Sequence, residues 1–116
     1  MSRRPSLARA GLAGAAPVFA ALGDEMRLRL VARLCAEGPL SIVRLSVGAP
    51  VTRQAVTKHL HALADAGLVR GTRRGRQRQR IWKLEPRRLQ EARRCLDRIS
   101  QQWDDALERL RAFVEE

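Results

Sequence analysis

The amino-acid sequence predicts a mainly α-helical fold with one small β-hairpin and a long C-terminal helix. Three observations carry this expectation. Short apolar segments at helical spacing are bounded by capping residues and by Gly or Pro stops, strand-like runs replace them after Gly67, and an unbroken heptad pattern occupies the C-terminal third. With 116 residues the chain has room for one domain and a modest core.

Apolar residues from Pro17 to Leu22 predict a short first helix closed by Gly23. Residues 1–16 are expected to form a mobile basic arm, which leaves 17–116 as the folded domain. The stretch Ser2-Arg3-Arg4-Pro5-Ser6-Leu7 loosely imitates a twin-arginine export signal, but Arg9 interrupts the apolar run behind it. Asp24 can cap a second helix in which Met26, Leu30, Val31 and Leu34 recur at helical spacing, and Gly38-Pro39 ends it. Ser41 caps a short third helix with Ile42 and Leu45 inward, Gly48-Ala49-Pro50 makes a tight corner, and Thr52 starts a fourth helix.

In that fourth helix Val56, Leu60 and Leu63 share one face, and Gly67-Leu68 has the form of a C-terminal cap. The opposite face then carries Arg53, Gln54, Thr57, Lys58 and His61. Two helices joined by a Gly-containing turn, the second exposing hydrogen-bonding side chains near its N-terminus, form the helix-turn-helix pattern, and Arg and Gln suit the guanine and adenine edges of a major groove. His59 points away from His61 and is expected at the edge of the core.

Leu68–Thr72 and Arg80–Leu84 read as two strands around Arg73-Arg74-Gly75-Arg76-Gln77-Arg78, a hairpin with a basic tip and with Trp82 and Leu84 inward. Arg73, Arg74, Arg76 and Arg78 are candidates for phosphate or minor-groove contact. Residues 68–94 hold 11 basic side chains against 2 acidic ones, most of the net +11, whereas residues 95–116 hold 3 against 6. So concentrated an excess is the footprint of a polyanion-binding surface.

From Pro86 to Val114 there is no further Gly or Pro, and Leu89, Ala92, Leu96, Ile99, Trp103, Ala106, Leu110 and Phe113 alternate at spacings of three and four. A helix of this length extends about 44 Å, more than a domain of this size can cover alone. A second copy is the simplest cover, with Leu89, Leu96, Ile99, Trp103 and Leu110 at the dimer interface.

Cys35 and Cys95 stand 60 residues apart without a CxxC pair or a third ligand, so both are expected reduced and partly buried. There is no nucleophile elbow, phosphate-binding glycine loop or metal-ligand cluster, and no apolar run long enough to span a bilayer. The expectation is therefore a non-enzyme without cofactor, metal or membrane partner, and the residues specify no inducer.

Four stretches, FAALGDEMRLRLVARL (19–34), VTRQAVTKHLHALADAGLV (51–69), RRGRQRQRIWKL (73–84) and WDDALERLRAFVEE (103–116), together resemble the ArsR/SmtB family of bacterial winged helix-turn-helix regulators. The resemblance covers Phe19 to Glu116. It implies a cytoplasmic homodimer that binds a partly palindromic double-stranded DNA operator and usually represses transcription. The fourth helix would enter the major groove, with Arg53, Gln54, Thr57 and Lys58 at the contacting positions, and the wing would follow the minor groove or backbone.

Family metal sensors carry Cys-x-Cys on the third helix or Asp/His pairs on the last one. Here the third helix reads Ser41-Ile-Val-Arg-Leu-Ser-Val47 and the last has no His, so the resemblance is to the subgroup lacking metal-sensing sites. Two alternatives accompany it: a thiol-based redox-sensing repressor using Cys35 and Cys95, and a sequence-neutral architectural DNA-binding protein.

Overall fold

The computed structural model describes residues 4–73 and 80–115, with residues 4–10 as backbone alone. Five helices and three short strands follow in the order α1 (Arg4–Leu22), α2 (Glu25–Glu37), β1 (Leu40–Ser41), α3 (Ile42–Ser46), α4 (Arg53–Asp65), β2 (Val69–Thr72), β3 (Ile81–Leu84) and α5 (Pro86–Glu115).

The helix boundaries follow from their caps. Asp24 accepts the N–H of Arg27 at 3.0 Å, Ser41 that of Arg44 at 3.2 Å and Thr52 that of Ala55 at 3.1 Å, so each satisfies one orphan donor of the turn it opens. At the far end of α4, Gly67 takes φ +80° while Leu68 N–H reaches the Leu63 carbonyl and Gly67 N–H that of Ala64. This is the two-bond Schellman ending, and it turns the chain directly into β2.

Leu30 and Leu34 of α2, Leu45 of α3 and Val56, Leu60 and Leu63 of α4 bury their side chains in one core, with Val18 of α1, Trp82 of β3 and Ala92 of α5 closing it. The sheet runs β1-β3-β2, all antiparallel, with Leu40 opposite Trp82 in one pair and Gly71 opposite Trp82 in the other. β1 extends the expected hairpin by a third strand. Two residues give no periodicity to recognise, and their pairing is tertiary.

Two expectations change. The first helix starts at Arg4, not at Pro17, and runs through the segment expected to be an arm. Pro17 sits inside it, where it forgoes the bond to the carbonyl of exposed Ala13, a group that water can serve. α1 packs chiefly against α5, and that support outweighs its glycines and proline. Cys35 is exposed on α2 whereas Cys95 is half-buried, and both are free thiols. Leu34 takes the core position, so the next residue, a hundred degrees further round the helix, faces outward.

Candidate nucleic-acid interface

α3, the corner at 47–52 and α4 build the helix-turn-helix. Gly48 takes φ +74° in the corner, and Arg33 fixes α2 against it. The Arg33 guanidinium donates to Glu37 at 2.9 Å and, through Nη1, to the carbonyls of Arg44 and Leu45 at 3.0 and 3.3 Å, so α2 holds the C-terminal end of α3. The same bond to Arg33 holds the Glu37 carboxyl below its usual pKa.

With Val56, Leu60 and Leu63 fully buried, the opposite face of α4 presents one continuous stripe at positions 54, 57, 58 and 61, with Arg53 at its N-terminal end. Arg53, Gln54, Lys58 and His61 are exposed. Thr57 is half-buried, and its hydroxyl donates to the Arg53 carbonyl at 3.0 Å, leaving its methyl and an oxygen lone pair for an outside partner. His61 also faces inward along the surface: its ring lies 5.9 Å from that of Trp82, at the base of the hairpin. His59 stands at the core edge, Nδ1 3.8 Å from the Asp24 carboxylate. Asp24 is held below its usual pKa first by the Arg27 N–H it accepts, which outweighs an opposing desolvation, with smaller contributions from the nearby His59 and Arg27 side chains.

In the hairpin, Gly71 lies directly opposite Trp82, and a Cβ there would come within 3.1 Å of the indole. The indole is thus laid between β2 and α4 and joins the hairpin to the stripe. Arg73 is exposed at the end of β2, while Arg74, Arg76 and Arg78 lie outside the described residues. Arg70 and Lys83 sit opposite each other across the strands and are both exposed, extending the basic surface from Arg73 along the sheet. The alternation of Val69 and Gly71 with Arg70 and Thr72 was the available signal for them.

Along α5 the heptad pattern is covered at its beginning and, farther on, half-covered at Ala106. Ala92 is buried and Leu89 packs against the protomer's own core, so Leu89 already has a partner within the chain. Beyond them Leu96, Ile99, Trp103, Leu110 and Phe113 are exposed, Trp103 at 65% and Phe113 at 77%, and Leu107 and Val114 widen the stripe. Among the described residues no group of three His, Cys, Asp or Glu side chains is placed to hold a metal ion, and no helix is long and apolar enough to cross a membrane.

A helix-turn-helix whose second helix ends in a two-stranded basic wing defines a winged helix-turn-helix DNA-binding module. A family model described as a helix-turn-helix domain matches residues 22–72. The HTH-type transcriptional regulator Rv2034 of Mycobacterium tuberculosis is 41% identical over 91 residues, covering 75% of this chain and 76% of that protein. An ArsR-like transcriptional regulator from Rhodococcus sp. RHA1 superposes with a TM-score of 0.74 at 36% identity, covering 87% of this chain and 92% of that one. The homodimeric winged helix-turn-helix domain of Mb0332 from Mycobacterium bovis shares the fold, with a TM-score of 0.59 at 22% identity over 94% of this chain and 92% of its own. The chain belongs to the ArsR-like family of winged helix-turn-helix transcriptional regulators.

Proposed function

We propose that this regulator is a cytoplasmic, non-enzymatic repressor that binds a palindromic operator as a homodimer. The observation that carries the proposal is the pairing, on one molecule, of an exposed polar stripe on α4 with an uncovered apolar stripe on α5. In this reading Arg53, Gln54 and Lys58 meet base edges or flanking phosphates, Thr57 offers its methyl, and His61 props the wing. Arg70, Arg73 and Lys83, together with Arg74, Arg76 and Arg78 of the tip, engage the backbone. Leu96, Ile99, Trp103 and Leu110 pack on the same stripe of a second copy. The first half of α5 is basic and its second half acidic, so an antiparallel arrangement of two copies sets opposite charges side by side.

Footprinting the promoter next to the chain's own gene locates the operator, and competition with scrambled DNA then measures specificity, with a preference of about 10³ or more expected. Gln54→Ala should cost about 1–3 kcal/mol at one pair of symmetric positions and leave scrambled DNA unaffected. Equal affinity for operator and scrambled DNA would instead make this a sequence-neutral architectural protein. A reporter driven by the footprinted promoter should rise when the chain is deleted; a fall would make it an activator.

A further inference from the structure

Between α1 and α5 lies a cavity of about 380 Å³, within the range of roughly 300–1,000 Å³ that proteins use for small organic ligands. Its α1 wall is opened by two glycines in the helix interior, Gly11 and Gly14, each less favourable in a helix than Ala. The fold does not require glycine at position 14, because a Cβ there would meet nothing within 4 Å. What the missing side chain leaves is open space. Leu12 and Ile99 supply apolar surface, and Arg94 and Arg98 bring two guanidinium groups.

The charge is one-sided. The carboxylate on the wall, Glu91, is already engaged by Arg88 at 3.1 Å and Arg87 at 3.7 Å. Among the described residues neither Arg94 nor Arg98 has an acidic side chain within ion-pair distance. A second copy seated on the α5 stripe would border the cavity without filling it, since Ile99 is the one α5 residue shared between the two.

We propose that this cavity binds a small amphipathic organic anion, an aromatic or short-chain carboxylate, with its charged end on Arg94 and Arg98 and its apolar body against Leu12 and Ile99. Guanidinium suits a carboxylate because its planar fork can donate two parallel hydrogen bonds.

The probe is 1-naphthoate, titrated calorimetrically into the full chain beside its neutral analogue 1-naphthalenemethanol. Naphthoate should saturate one site per chain, with the alcohol at least tenfold weaker. Gly14→Leu plugs the cavity with a better helix former, and Arg94→Gln with Arg98→Gln removes the charge. Each should weaken naphthoate at least tenfold while circular dichroism stays unchanged. In a Cys35→Ser background naphthoate should also slow alkylation of Cys95, which lines the same cavity. Absent saturable binding, equal binding of the alcohol, or binding undiminished in both variants would overturn the proposal, the last placing the probe on the exposed α5 stripe. A change in sedimented mass on Gly14→Leu would also overturn it, by showing that a second copy fills the cavity.

Discussion

Gly67 answers to two constraints at once. Its φ of +80° lies where a Cβ meets its own backbone, and an added Cβ would also stand 2.9 Å from Cγ of Arg88 on α5. The second contact is soft, since an arginine side chain can swing away. The first is not, so Gly67→Ala should destabilise by about 1–2 kcal/mol, read as a lower denaturant midpoint at unchanged slope. Adding Arg88→Ala should not restore the loss. Full restoration would mean that the clash, not the backbone, sets the need for glycine.

Asp24 adds a pH dependence whose sign is fixed by its direction. Its folded-state pKa lies below the ordinary 3.8, so its contribution is complete above that value and is lost as pH falls through the folded one. Asp24→Asn keeps a capping oxygen but carries no charge. The wild type should therefore lose stability more steeply than Asp24→Asn on acidification below about pH 4, while the two change in parallel above about pH 5. Parallel curves throughout would remove Asp24 from the acid response. Caps of this kind were legible in the sequence because each is closed within three residues: Asp24 to Arg27, Ser41 to Arg44, Thr52 to Ala55. The surroundings of His61 were not, because its ring packs on Trp82, which lies on a different element.

Among the elements, legibility followed the same division. α2, α4 and α5 were written in apolar spacing and local stops, and their observed bounds fall within a residue of those expected. The first half of α1 is not legible in the sequence, because Gly11, Gly14 and Pro17 weaken a helix in isolation, whereas packing on α5 supports it in the fold. The wing strands were legible from their alternation, and what positions the wing was not: Trp82 needs the empty space above Gly71, which only the pairing register reveals. If the wing follows the DNA backbone, Arg73 makes one phosphate contact per subunit and two per dimer. Arg73→Ala should then make the slope of log affinity against log salt shallower by about 1.8. An unchanged slope would place Arg73 off the DNA.

Over the whole molecule, 68 Å in its longest extent, the second half of α5 exposes a run of large apolar side chains among the described residues, Trp103, Leu107, Leu110, Phe113 and Val114. Leu96 is 51% exposed where the stripe begins, and it lies outside the buried core, so Leu96→Glu removes nothing from the protomer's core and should leave circular dichroism unchanged. In a symmetric dimer the two carboxylates would be set into an apolar interface, and burying an unpaired charge there costs several kcal/mol. The variant should sediment as a monomer. It should also lose affinity for the full operator by about 10²- to 10⁴-fold, the gain that linking two reading heads supplies, while a single half-site is bound as weakly as before. Gln101, on the face of α5 opposite the stripe, provides the control, and Gln101→Glu should preserve both mass and affinity. A dimeric Leu96→Glu chain with full operator affinity would move the interface off α5 and leave its apolar stripe to another partner.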